Sequence, residues 1–237
     1  MNTAIIVAAG SGQRFAGDQP KQFVELLGKP LILHTLGKFE AASVIDEIIL
    51  VLSQAGRDEF EAIGAEFEIT KLKSIVIGGL TRAESVRNGL SGINAATANL
   101  VAIHDGARPL VSTDEITRTV EKAAETGAAC LVASVTDTIK QIDGKHISGT
   151  LDRTSLRRAL TPQVFRFELL IKAFDGIELS ESITDECSLV ERLGHPIVFV
   201  EGSPRNIKIT HSTDLLVAEA LLGMERSIED KVGITDS

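Results

Sequence analysis

Hydrophobic positions along this chain follow two alternating patterns. Nearly continuous apolar runs recur at 3–9 (TAIIVAA), 46–53 (DEIILVLS), 73–79 (KSIVIGG), 99–105 (NLVAIHD), 129–135 (ACLVASV) and 196–202 (PIVFVEG). Runs this short, β-branched and without a polar face predict parallel strands covered on both sides. Between them apolar positions recur at helical spacing. Thr81-x-x-Glu84 and Ser112-x-x-Glu115 have the form of capping boxes. The second predicts a helix with Ile116, Val120 and Ala124 on one face and Gly127 as its stop. Ser212 or Thr213 starts the last predicted helix, which carries Leu215, Leu216, Ala218 and Leu222.

Strand–helix alternation of this kind implies right-handed βαβ units: an α/β fold built on an open, doubly wound, mostly parallel sheet with helices on both faces. Ligands of such sheets sit beyond the carboxyl ends of the strands, at the topological switch point. One segment breaks the alternation. Residues 136–158 contain period-2 fragments, an Asp143-Gly144 turn and a second expected turn at Gly149. They read as a β-hairpin arm projecting from one domain that spans 1–237. A projecting hairpin seldom stabilises itself, so either a second copy of the chain pairs with it or it is a plain surface hairpin.

Composition narrows the possible functions. The 237 residues are 43% hydrophobic and 24% charged, as in globular domains, and no apolar run approaches the length of a membrane span. No basic-then-apolar signal segment opens the chain, so the cytoplasm is the expected compartment. A formal net charge of −9 argues against nucleic-acid binding, and the absence of Trp and Tyr removes the usual stacking platforms. Cys130 and Cys187 make no disulfide framework, and neither has companions at zinc-ligand spacing. An acidic chain with local basic clusters suits a small phosphorylated ligand better than a polymer.

The first of those clusters follows the first predicted strand: AAGSGQRFAGDQPKQF, residues 8–23. It is not a dinucleotide fingerprint, because Phe15 stands where the third glycine belongs. Nor is it a P-loop, because Asp18 and Gln19 replace the required Lys and Ser/Thr. What remains is a long glycine-opened turn carrying Arg14 and Lys21, which is either an anion cradle or a turn with two solvated cations. Three further segments fall at expected strand ends. GGLTRAESV (78–86) brings Gly78, Gly79, Arg82 and Ser85. HDGARP (104–109) brings Asp105, able to hold Mg²⁺ or a hydroxylated substrate or to serve as a turn cap, and Arg108, able to grip a phosphate. EGSPRNIKIT (201–210) places Lys208 on a short extended run, as a ligand or as a solvated edge lysine.

Taken together with DTIK, LDRTSLRRALTPQVF and ITDECSLVERLG, these segments resemble the 2-C-methyl-D-erythritol 4-phosphate cytidylyltransferases over essentially the whole chain. The resemblance implies a Rossmann-like fold, a homodimer joined through the β-arm, and Mg²⁺-dependent transfer of a cytidylyl group from CTP to a small sugar-alcohol phosphate with release of pyrophosphate. It implies Arg14, Lys21 and Lys208 as catalytic cations. Ala8, Ala9, Gly10, Ser11, Gly12, Gly79, Arg82, Ser85 and Asp105 would hold CTP, Asp105 also being the one implied metal contact. Asp105 and Arg108, with Thr138 and Arg153 reaching from the neighbouring subunit's arm, would hold the acceptor. Leu80 departs from the pattern, standing where some relatives carry a polar ligand contact. The alternatives are a ribitol-5-phosphate cytidylyltransferase, which would share the CTP loop, and a non-catalytic nucleotide-binding protein of the same fold. A UTP- or TTP-using sugar nucleotidyltransferase is conceivable on fold grounds alone, and a dehydrogenase is disfavoured by the failed third glycine.

Overall fold

The computed structural model describes residues 1–10, 20–64, 67–177 and 183–232. In chain order the strands are β1 (Asn2–Ala8), β2 (Glu25–Leu26), β3 (Lys29–Pro30), β4 (Glu47–Leu52), β5 (Leu72–Ile77), β6 (Leu100–Asp105), β7 (Ala128–Ser134), β8 (Lys140–Asp143), β9 (His146–Thr150), β10 (Arg157–Arg166) and β11 (Val198–Glu201). The helices are α1 (Leu31–Ala41), α2 (Gln54–Gly64), α3 (Arg82–Ser91), α4 (Thr113–Thr126), α5 (Phe167–Phe174), α6 (Cys187–Glu191) and α7 (Ser212–Val232). Seven strands form one sheet in the order β11-β7-β10-β6-β1-β4-β5. Within that sheet, among the described residues, only β10 runs antiparallel to its neighbours. None of the described helices is long and apolar enough to cross a membrane.

Strand parity builds the two faces. Ala4, Ile6 and Ala8 of β1, with Ile48, Leu50 and Leu52 of β4, point to one side, where Phe39 of α1, Phe60 of α2 and Val120 of α4 cover them. Ile5 of β1 and Ile49 and Val51 of β4 point to the other, under Val86 and Leu90 of α3 and Leu170 of α5. Burying both faces explains why these strands read as unbroken apolar runs. Side chains such as Ile5, Ile6, Ile48 and Ile49 are inaccessible to solvent, each contributing about 1.5–3 kcal/mol by burial. The chain winds from β1 outward to β4 and β5, then returns to pair β6 on the other side of β1. The switch point therefore lies between the carboxyl ends of β1 and β6.

Both capping boxes form, with Thr81 and Ser112 accepting from the backbone N–H of Glu84 and Glu115, and Gly127 ends α4 at φ 88°. Four expectations change. The strand β10 was absorbed into the expected arm and its flank, because Pro162 and a register shift between Ala159 and Gln163 interrupt its pattern. Gly149 lies within β9, opposite Gln141, rather than in a second turn. The buried alanine of α4 is Ala123, with Ala124 exposed, since its buried stripe also includes Glu115 and Thr119. Leu216 of α7 is exposed, while Ala218 and Leu222 pack against Leu26 and Ile209. The arm itself is present: β8 and β9 pair across Asp143-Gly144, with Gly144 at φ 57°.

Candidate active site

A cleft of about 710 Å³ opens at the switch point. The end of β1 contributes Ala8, Ala9 and Gly10, and the turn after β5 contributes Gly79 and Leu80. Close packing dictates this turn. A Cβ on Gly78 would stand 2.4 Å from Ala9 Cβ and 2.7 Å from Ser85 Oγ, so only glycine lets the two loops approach. Ser85, buried at the start of α3, accepts from the Gly79 N–H at 3.1 Å and donates to the Thr81 carbonyl at 2.9 Å. Its hydroxyl thus holds the wall of the cleft in shape. Leu80 lines the rim, 98% exposed, an apolar group where a polar ligand contact was expected of relatives.

At the floor, Asp105 ends β6 and gathers three cations. Its Oδ1 accepts from Arg82 Nε at 3.1 Å, while Oδ2 accepts from Arg108 Nε at 3.2 Å and pairs with Lys208 Nζ at 3.0 Å. Burial by itself would raise the Asp105 pKa, but the charges of Arg82, Lys208 and Arg108 overcome that and hold it well below the usual carboxylate range. Arg82 is shared: its NH1 donates to Glu186 Oε1 at 2.6 Å. Burial pushes the fully buried Glu186 carboxyl up, opposed by the Arg82 charge. Arg108 also donates from NH1 to the Asn206 carbonyl at 2.9 Å, and burial lowers its pKa against the pull of Asp105. Lys21, in a 3-10 turn at Lys21–Phe23, donates to the Ile209 carbonyl at 2.8 Å and so lies beside the Lys208 segment, 188 positions away.

A second cavity of about 190 Å³ adjoins the first, sharing Arg82, Asp105 and Lys208. Arg108, Thr161, Thr184 and Asp185 supply its own wall. Thr161, Thr184, Asp185 and Glu186 fall in quoted segments, TPQ and ITDECSLVERLG, but the sequence assigned none of them a role in the site. Gln163 on the undetected strand β10 fixes the segment bearing the last three, accepting from the N–H groups of Glu186 and Cys187 and donating to Asp185 Oδ2 at 2.9 Å. Both ITDECSLVERLG and the TPQ of LDRTSLRRALTPQVF were visible as motifs, but the strand that carries TPQ and the contacts joining the two were not.

Of the residues read from the sequence, Ala8, Ala9, Gly10, Lys21, Gly79, Arg82, Ser85, Asp105 and Lys208 line the larger cleft, and Arg108 lines the smaller one. Ser11, Gly12 and Arg14 lie outside the described residues. Lys208 sits between β11 and α7 in irregular backbone rather than on a strand, its side chain 41% exposed. Thr138 and Arg153 stand exposed on the arm, with Arg153 NH1 donating to the Thr136 carbonyl, apart from the residues that line either cavity. Among the described residues no group of three or more His, Cys, Asp or Glu side chains is arranged to hold a metal.

Cations converging on one carboxylate, beside backbone amides at the end of the first strand, suit a reaction at phosphorus rather than at carbon. On a doubly wound sheet that combination fits a nucleotidyltransferase. Comparison with known proteins narrows the class: the family model described as 2-C-methyl-D-erythritol 4-phosphate cytidylyltransferase matches residues 2–224. A relative of that name from Geobacillus kaustophilus is 43% identical over 220 residues, spanning 92% of this chain and 96% of its own. A bifunctional enzyme from Desulfotalea psychrophila is 40% identical across 98% of this chain, which covers 60% of that longer protein. The crystal structure of 4-diphosphocytidyl-2C-methyl-D-erythritol synthase from Anaerococcus prevotii superposes with a TM-score of 0.82 at 29% identity, over 94% of this chain and 96% of that one. This chain belongs to the 2-C-methyl-D-erythritol 4-phosphate cytidylyltransferase family.

Proposed function

We propose that the protein transfers the cytidylyl group of CTP to 2-C-methyl-D-erythritol 4-phosphate, giving 4-diphosphocytidyl-2-C-methyl-D-erythritol and pyrophosphate. The observation that carries this reading is the pair of cavities meeting at Asp105. The larger is roomy enough for a nucleoside triphosphate, and the smaller is sized for a short polyol phosphate. Family membership supplies the identities of both.

In this reading the acceptor's phosphate oxygen attacks the α-phosphorus of CTP, a new P–O bond forms, and the bond to the β-phosphate breaks as pyrophosphate leaves. The nucleophile is already anionic at neutral pH, so no general base is required. The chain's task is alignment and neutralisation of charge. Backbone at Ala8–Gly10 and Gly79 holds the nucleotide. Lys21 and Lys208, with Arg14, neutralise the triphosphate, and Arg108 grips the acceptor phosphate. Arg82 is mostly a brace: its guanidinium is spent on Asp105 and Glu186.

Mg²⁺ fits as the counter-ion that arrives on CTP, where it would spread the charge of the triphosphate. Both oxygens of Asp105 already face cations, so the phosphates would supply most of such an ion's ligands, and Asp105 could join them only by giving up a contact with Arg82, Arg108 or Lys208. Homodimerisation is the role we assign to the arm, where Ile142 and Ile147 stand 69% and 67% exposed and Leu151 40%. Thr138 and Arg153 then reach the partner's acceptor pocket. We also take the reaction to be cytoplasmic.

Replacing Arg108 tests the division into two cavities. Arg108→Ala is expected to raise the acceptor KM by about tenfold or more while the CTP KM moves less than about twofold. Equal effects on both would overturn the assignment.

A further inference from the structure

We infer that His104 is a positioning residue for the acceptor: a fully buried imidazole that sets the loop carrying Asp105 and Arg108. The inference rests on the function proposed above for that loop. Each carbonyl of the loop has its own partner. The Asp105 carbonyl accepts from the Arg108 N–H at 3.0 Å, and the Gly106 carbonyl from Thr35 Oγ1 at 2.8 Å. The Ala107 carbonyl accepts from the Ile209 N–H at 2.8 Å. The Arg108 carbonyl accepts from His104 Nε2 at 3.1 Å.

The other ring nitrogen fixes the second half of the network. His104 Nδ1 lies 3.0 Å from Thr161 Oγ1, which also accepts from the Asp105 N–H at 3.2 Å. A carbonyl oxygen facing Nε2 requires the ring proton there, so Nδ1 is bare and the Thr161 hydroxyl donates to it. One tautomer therefore satisfies the Arg108 carbonyl, the Thr161 hydroxyl and the Asp105 N–H together. Asn206 closes the circuit, donating from Nδ2 to the Thr161 carbonyl at 3.0 Å while its own carbonyl holds Arg108 NH1. The Phe39 ring packs against the imidazole at 4.8 Å between centroids, tilted by 54°. His104 touches no reactant. It acts through the Arg108 backbone, and so on where the guanidinium meets the acceptor phosphate.

Three substitutions separate positioning from bulk packing. His104→Leu fills the space and leaves both partners unpaired. His104→Gln can still donate to the Arg108 carbonyl, and His104→Asn can reach only Thr161. With CTP and 2-C-methyl-D-erythritol 4-phosphate, His104→Leu is expected to raise the acceptor KM about tenfold or more and the CTP KM less than about twofold. His104→Gln should return the acceptor KM to within about threefold of wild type. If His104→Leu does not fold, His104→Asn must show the acceptor-selective loss relative to His104→Gln. Parallel changes in both KM values, or a Gln variant no better than the Leu or Asn variant, overturn the inference. Nitrogen-15 NMR of the resting protein decides independently of which acceptor is used: protonated Nε2 with bare Nδ1 supports the role, and the opposite tautomer ends it.

Discussion

Asp105 carries more of this site than any other single residue, and its surroundings predict how the enzyme responds to pH. Three cations hold its folded pKa below that of the unfolded chain, ~3.9. Its contribution to stability is therefore fully present above that value and is lost only as pH falls through the folded pKa. Burial likewise keeps His104 neutral, its pKa lowered to about 3. Neither group titrates between pH ~5 and ~8, but burial raises Glu186, so an acid limb of kcat/KM for the acceptor near pH ~6 that survives Glu186→Gln belongs to the acceptor's phosphate. A limb with its midpoint near pH ~4 would place the controlling group on the protein instead. Lys21 offers a sharper test. Lys21→Ala is expected to lower kcat by about 10²–10³-fold, while losing the bond to the Ile209 carbonyl costs only about 1 kcal/mol of stability. Near-normal turnover would remove Lys21 from the mechanism. Asp105 was legible because it ends a strand beside Gly106, and Lys21 because it follows a glycine-rich turn. Glu186, His104 and Thr161 were not, since their roles lie in contacts spanning 104 positions to Arg82 and 57 between each other.

At the scale of elements, the parallel strands and the two capping boxes declared themselves through local pattern. Each of the six predicted strands appears within two residues of its expected bounds. β10 did not declare itself, because a proline and a bulge hide its alternation, and yet it lies between β6 and β7 and brings Thr161 and Gln163 to the site. The arm was legible from its Asp-Gly turn; what it pairs with was not. Its apolar side chains give the test. Ile142→Asp with Ile147→Asp is expected to convert a dimer into a monomer in sedimentation, since each isoleucine stands to gain about 1.5–3 kcal/mol when covered. Dimers that survive the double substitution, or a wild-type chain that is already monomeric, would contradict the assignment of the arm.

Across the whole molecule, a chain of net charge −9 concentrates positive charge at one place. Arg82, Arg108 and Lys208 outnumber the carboxylates they contact, Asp105 and Glu186, and Lys21 lies alongside. The fold makes this possible by bringing together the ends of β1, β5 and β6 and the stretch before α7, which are far apart in sequence. That excess of cations over the carboxylates they contact is offset when a polyanion enters, which is what a site for two phosphorylated substrates requires. The most direct test of that account is pyrophosphate release by the purified protein with CTP and Mg²⁺, comparing 2-C-methyl-D-erythritol 4-phosphate with ribitol 5-phosphate. Turnover with the first and not the second is the predicted result. Turnover with ribitol 5-phosphate alone, or CTP binding without release of pyrophosphate from either acceptor, would contradict it.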